Sequence, residues 1–310
     1  MLASGFLENA EEMTTMTYKR NKKLLTFLFS FLLLPSQVGA QDFDNIEITT
    51  NHVKDNIYYL EGSGGNIGVI VGDDGVLIVD NQFAPLTNKI EAAITDLTTL
   101  PVTFVVNSHF HYDHTDGNEN FGKAGAFIVA QENARRRMES TQVLANGRAQ
   151  ERYDPVGLPK ITFIDTMKFY FNGEPIELVH TGPGHTDGDA QVYFLESNVI
   201  HTGDMFVRYV LPFIDQNNGG SLDGMIEATD RLASLINDET IIIPGHGQLS
   251  NRNDLLNYRD MLVTIRGNLL RAKVQDLSPG AMLDLQPADG FAPAGDGTNQ
   301  WLLRAYDEYR

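Results

Sequence analysis

Three histidines and an aspartate fall within six residues, His109-Phe110-His111-Tyr112-Asp113-His114, in a chain of 310 residues with only eight histidines. In an extended segment, side chains two apart share a face, so His109 and His111 point the same way and can grip one cation. Asp113 and His114 follow where the chain turns and can face a second cation close by. The sequence has no cysteine, which excludes thiolate ligands, thiolate nucleophiles and disulfides. Imidazole nitrogen and carboxylate oxygen remain, a donor set that suits zinc at about 2.0–2.2 Å and discriminates weakly against iron or manganese.

Further ligands must come from other loops. Three candidates stand beside glycine just after strand-like runs: His185 in Gly182-Pro183-Gly184-His185-Thr186, Asp204 in His201-Thr202-Gly203-Asp204, and His246 in Pro244-Gly245-His246-Gly247. Glycine permits the sharp turn and close backbone approach that a buried cation needs. His180 and His201 read as satisfied core or strand-end histidines, with support of the neighbouring ligands as the alternative, and His52 as a surface residue. Tyr112, Met205, Phe206, Tyr209 and Phe213 flank the candidates and suit either an apolar pocket or packing. Arg135-Arg136-Arg137 reads as a solvated helix face, with steering of an anionic substrate as the alternative.

These residues need a scaffold to aim them. Short strand-like runs at 46–50, 57–60, 67–71 and 76–79, separated by glycine-rich turns, predict an antiparallel meander. An amphipathic helix is expected at 86–97 and a buried strand at 102–106 that delivers the chain to His109. Strand 127–130 and a helix start at 131–138 follow, then a polar stretch to 159 that would cover the site. The second half repeats the plan, with strands at 168–171, 176–180, 191–195, 199–201 and 240–243 and helices at 222–236 and 251–274. Residues 277–299 read as a loop before a terminal helix at 300–309. Two strand-rich halves with helices outside predict an α/β fold, a four-layer αββα sandwich.

The formal charge of −18 disfavours nucleic acid as a partner, because such binding relies on Lys and Arg contacts to phosphate. A small-molecule substrate fits better. At the N-terminus, Lys19, Arg20, Lys22 and Lys23 precede an apolar run from Leu24 to Leu34, then Pro35-Ser36-Gln37 and Val38-Gly39-Ala40. This is the three-part pattern of a signal peptide, and the run is shorter than the roughly 20 residues of a membrane-spanning helix. Residues 1–40 are therefore expected to be a leader cleaved after Ala40, with Met13 or Met16 as a more usual start, and 41–310 a catalytic domain in the periplasm or outside the cell. No stable membrane anchor is expected.

The ordered set, from HxHxDH through a distant His and an Asp to a final His, resembles the metallo-β-lactamase superfamily over about residues 56 to 265. The resemblance implies a first zinc held by His109, His111 and His185 and a second by Asp113, His114 and His246, with Asp204 bridging. It also implies that a metal-bound hydroxide attacks an acyl carbon, with Asp113 accepting and returning the proton. Asp80, closing the strand 76–79 where the family has an acidic motif, would hold the histidine loop through hydrogen bonds. Members that hydrolyse β-lactams efficiently usually carry Cys or Ser where this chain has Asp204, whereas lactonases and glyoxalase II-like thioesterases carry Asp. The all-histidine first site and the leader resemble β-lactamases of the B3 subclass. The resemblance thus implies a cyclic amide as the leading substrate, with an acyl-homoserine lactone or a glyoxalase II-like thioester as alternatives. Flavodiiron-type members have Glu in place of the second histidine, and nuclease members bind polyanions; His111 and the acidic balance argue against both. A non-catalytic metal-binding protein is the remaining alternative.

Overall fold

Alternating apolar residues broken by tight turns open the chain as a meander. In the computed structural model, which describes residues 42–208 and 211–309, strands β1 (Thr49–Lys54), β2 (Ile57–Glu61), β3 (Ile67–Gly72) and β4 (Gly75–Val79) pair antiparallel in sequence order. The leader expected at 1–40 lies outside the described residues. After β4 the pattern changes to crossovers: α1 (Thr87–Thr95), β5 (Val102–Asn107), α2 (Tyr112–Thr115), α3 (Asn118–Lys123), β6 (Phe127–Gln131) and α4 (Glu132–Met138). A small hairpin of β7 (Gln142–Val143) and β8 (Ala149–Gln150) leads to β9 (Ile161–Phe163). The first sheet has the order β1-β2-β3-β4-β5-β6-β9, with β4, β5, β6 and β9 parallel.

The second sheet is built from β10 (Thr166–Phe171), β11 (Glu174–Val179), β12 (Gln191–Phe194) and β13 (Val199–His201), all antiparallel. Helix α5 (Leu222–Leu235) crosses over to β14 (Ile241–Ile243), which joins β13 in parallel. Helices α6 (Arg252–Val274), α7 (Pro279–Asp284) and α8 (Asp296–Asp307) complete the chain. One core unites the two sheets, with Leu77, Val79, Val106 and Val129 from the first and Ile176, Leu178, Val192 and Ile243 from the second. Ile90, Ile94 and Phe121 pack helices onto the first sheet, and Leu232, Leu262, Ile265 and Leu302 pack them onto the second. These side chains are buried at 3% exposure or less, each contributing about 1.5–3 kcal/mol relative to exposure. The layers are therefore helices, sheet, sheet, helices, as the sequence predicts.

Three expectations about elements need correction. The first strand begins at Thr49 rather than 46, because Lys89 takes the carbonyls of Phe43, Asp44 and Ile46 as hydrogen-bond acceptors. The polar stretch to 159 holds the hairpin of β7 and β8, and β9, which extends the first sheet just beyond it, was not expected; three residues are too few to show a periodicity. The segment 277–299 is not one loop. Ser278 caps α7 through the Ala281 amide, with Pro279 in its first turn, a start signal present in the sequence, and α8 begins at Asp296 rather than 300.

Strands β4, β5, β13 and β14 end at the same edge of the sandwich, each pair parallel. In such sheets the crevice beyond the carboxyl ends of strands is where loops converge on a ligand. Asp80, His109, Asp204 and His246 all lie within four residues after these strand ends.

Candidate metal centre

The structure brings all seven sequence-predicted ligands together. Donor atoms of His109, His111 and His185 lie within 4.8 Å of one another, as do those of Asp113, His114 and His246. Asp204 stands between the two sets: its Oδ2 is 3.7 Å from His185 Nε2, and its Oδ1 is 3.2 Å from His114 Nε2 and 3.4 Å from His246 Nε2. His109, His114 and Asp204 form a third close set.

Partners behind the rings decide which nitrogens face inward. His111 Nε2 donates to Asp215 Oδ2 at 2.9 Å, and His185 Nδ1 donates to the Phe213 carbonyl at 2.7 Å. The opposite atoms, His111 Nδ1 and His185 Nε2, then present lone pairs to each other across 2.9 Å. His114 Nδ1 donates to Asp80 Oδ2 at 2.8 Å, which turns its Nε2 toward His246 Nε2, 3.2 Å away. The Ser108 hydroxyl donates to Asp80 Oδ2 at 2.6 Å and accepts from His109 Nδ1 at 3.0 Å. His109 Nε2 is thereby left buried with no hydrogen-bond partner. The facing lone pairs of His111 and His185 repel unless a cation lies against them, and an unpaired buried polar atom such as His109 Nε2 is costly. The residues therefore fit a metal centre with nitrogen and oxygen ligands.

The electrostatics point the same way. Burial and the neighbouring histidines hold His109 well below the usual imidazole range. Burial also brings His185 down to about 4, against the pull of Asp204, so both are neutral near pH 7. For His246 burial is outweighed by the carboxylates of Asp204 and Asp113, which raise it to about 9, and His114 is raised well above its ordinary value by Asp204, Asp113 and Asp80. Asp113 comes down to about 2, because His114 and His246 overcome its desolvation. Protons and metal ions thus compete for His114 and His246. Metal uptake near neutral pH is expected to release protons, measurable with an indicator dye in weak buffer; uptake without proton release would contradict this electrostatic picture.

Glycine makes the close approach of β-strand loops to the site feasible. A Cβ on Gly65 would lie 2.1 Å from His114 Cε1, and one on Gly245 would lie 2.1 Å from Asp204 Oδ1. The Gly65 amide also donates to the Asp113 carbonyl at 2.9 Å, so this loop cannot simply retreat. Gly65→Ala is therefore expected to displace the His114 ring and cut metal binding at the Asp113–His114–His246 cluster by about 10–100-fold, leaving the other cluster filled. Metal titration of the variant checks this.

Two positioning residues escaped the sequence reading. Asp215 accepts from His111 Nε2, Asn218 Nδ2 and the Ala145 amide, and Asp189 accepts from the His185 amide and from the amide and hydroxyl of Thr186. Asp189 stands in the motif around His185, a signal that was available. Asp215, 104 residues from His111, carries no local mark. Asp215→Asn is expected to weaken metal binding at the His111 cluster by about 10–100-fold, with little change in secondary structure, as read by metal titration and circular dichroism.

Other expectations divide. His52 is exposed, bonded to the Asp55 carbonyl, while His201 is buried between the Asn66 carbonyl and the Gly203 amide, and His180 bonds the Asp189 carbonyl. Met205 and Phe206 are buried packing, Phe206 against Tyr258. Tyr112 reaches the Glu151 carbonyl, Phe213 lies against His111 and His185, and Tyr209 is outside the described residues. The solvated-face reading of the three arginines needs correction at Arg137, which clamps both oxygens of Asp187 and reaches Asn218, the partner of Asp215.

Residues 60–246 match the family model described as the metallo-beta-lactamase superfamily. Among curated proteins, the hydroxyacylglutathione hydrolases of Brucella ovis and Brucella abortus are 25% identical over 187 residues, 60% of this chain and 63% of theirs. The matched region thus spans less than two thirds of those relatives. Among solved structures, a metallo-beta-lactamase from Pontibacter korlensis superposes with a TM-score of 0.59 at 17% identity, covering 70% of this chain and 99% of that one. The DIM-1 metallo-beta-lactamase gives 0.59 at 18% identity, covering 71% and 99%. With the family pattern running from β2 to His246 through every loop that supplies the site, this chain belongs to the metallo-beta-lactamase superfamily.

Proposed function

We propose that the protein is an exported hydrolase that uses two zinc ions, or iron or manganese in their place, to cleave an acyl bond in a small substrate. The leading substrate is a cyclic amide of the β-lactam type. The observation that carries the reading is the convergence of imidazole nitrogens on one crevice, each fixed by a hydrogen bond at its other ring atom. His109, His111 and His185 would hold one ion and Asp113, His114 and His246 the other, with Asp204 shared. Two cations held there supply acidification of a bound water and polarisation of a carbonyl.

The chain's own groups narrow the remaining chemistry. There is no cysteine, and the Ser108 hydroxyl is buried and committed to Asp80, so neither a thiol nor this hydroxyl serves as nucleophile, and water is the attacking group in this reading. Asp113 is the exposed carboxylate of the site, its side chain 36% accessible against 10% for Asp204. Held ionised, with a pKa of about 2, it can take a proton from the attacking water at Oδ2 and return it to the departing nitrogen, oxygen or sulfur.

A second reading, thioester or lactone hydrolysis, is favoured by Asp204 and by the name of the curated relatives. A chromogenic β-lactam, an acyl-homoserine lactone and an S-acylglutathione, assayed on the mature protein with metal quantification, separate these. Two bound ions with no turnover on any of the three would leave a metal-binding protein without this activity. Export rests on the pattern of residues 1–40; N-terminal sequencing of protein recovered outside the cytoplasm should begin near Gln41. No described helix is long and apolar enough to cross a membrane.

A further inference from the structure

A groove of about 460 Å³ runs between the segment 211–213 and helix α8. We propose that this groove binds the part of the substrate that is not cleaved, and that it selects an aromatic group bearing a carboxylate. The assignment to substrate rests on the hydrolase reading above. Phe213 is the wall shared by groove and metal centre. Its carbonyl accepts from His185 Nδ1, and its ring centroid lies 5.7 Å from that of His111 and 5.9 Å from that of His185. A ligand in the groove therefore lies one side chain, Phe213, away from the first histidine cluster.

The lining explains the chemistry selected. Leu211, Pro212, Phe213, Pro293 and Trp301 present hydrocarbon and aromatic surface. The indole Nε1 of Trp301 donates to the Pro212 carbonyl at 2.6 Å, which satisfies its polar atom and fixes the ring against the segment 211–213. A volume of this size holds a substituted phenyl ring. Arg304, one turn further along α8, lines this groove without an ion pair to a described carboxylate. In a chain of net charge −18, whose general field repels anions, a partly buried arginine beside an aromatic wall supplies a local cation that a ligand carboxylate would complete.

Trp301 is the single tryptophan of the chain, so its fluorescence reports the groove alone. Titration of the purified protein with phenylacetate, excited where only indole absorbs, should give a saturable change. Phenylacetamide should bind about tenfold more weakly. Arg304→Gln should bring the two compounds together, and Arg304→Lys should restore part of the preference. With a hydrolysable anionic aromatic substrate, Arg304→Gln should raise KM about tenfold and leave kcat and metal content unchanged. No saturable signal, or a preference for phenylacetate that survives Arg304→Gln, would overturn the groove assignment even in an active enzyme. The reverse result, an Arg304-dependent signal in a protein that hydrolyses nothing, would remove the hydrolase reading and leave the groove as a binding site for aromatic carboxylates.

Discussion

His111→Ala and His246→Ala proteins are each expected to lose about one bound metal ion per chain and to fall at least a thousandfold in kcat/KM on whichever substrate the wild type hydrolyses. The magnitude follows from removing several kcal/mol of charge stabilisation, at about 1.4 kcal/mol per tenfold in rate. The two variants should differ in stability. The His111 side chain is 6% exposed and holds Asp215, so its loss leaves a buried carboxylate without its imidazole donor. His246 is 12% exposed, and water can enter in its place. His111→Ala should therefore have the lower thermal midpoint. Metal analysis by mass spectrometry, steady-state kinetics and thermal unfolding test the three parts. Retained activity in either variant would sink the assignment of that residue to the metal centre.

Asp80→Ala is expected to damage both fold and site, although Asp80 is not among the proposed ligands. Its two carboxylate oxygens accept from the Ser108 amide at 2.7 Å, the Ser108 hydroxyl at 2.6 Å and His114 Nδ1 at 2.8 Å, all in full burial. Through Ser108 it also sets the tautomer of His109. Alanine would orphan these donors at once, in a backbone conformation at φ 66° that disfavours a β-carbon without a polar side chain to stabilise it. A loss of about 3 kcal/mol is expected, which lowers the thermal midpoint by about 6–12 °C in a domain of this size. Metal binding should fall at both clusters, because His109 and His114 lose their orientation together. Asp80→Asn should be milder in stability, since one acceptor oxygen remains. It should still cost metal affinity, because the amide nitrogen cannot accept from His114. Equal stability of Asp80→Ala and wild type would show that Asp80 is not the post on which the histidine loop hangs.

Much of the scaffold was legible because its signals are local. The meander from β1 to β4 shows in short apolar runs divided by turn residues, and α5 and α6 show in helical periodicity over 14 and 23 residues. Where the local signal was short or overridden, the reading failed. β9 has three residues, and the first strand was displaced because Lys89, more than 40 residues away, captured the carbonyls before it. Arg137 was read as solvent-facing because nothing near it in sequence shows that Asp187, 50 residues on, would meet it.

For the site, the sequence by itself determined the donor types and the candidate positions, and the grouping came from the family resemblance. The absence of cysteine, the spacing in His109-Phe110-His111-Tyr112-Asp113-His114 and the glycines beside His185, Asp204 and His246 are properties of residues close along the chain. Only the tertiary structure decided which nitrogen of each ring turns inward. That choice belongs to Asp80, Asp215 and the Phe213 carbonyl, which reach their histidines across 34, 104 and 28 residues. The same holds for the groove at Phe213, whose second wall, Trp301, lies 89 residues from the carbonyl of Pro212 that fixes it. A hydrogen bond selects a tautomer by position in space, and that position exists only once both sheets have packed and their loops share one edge.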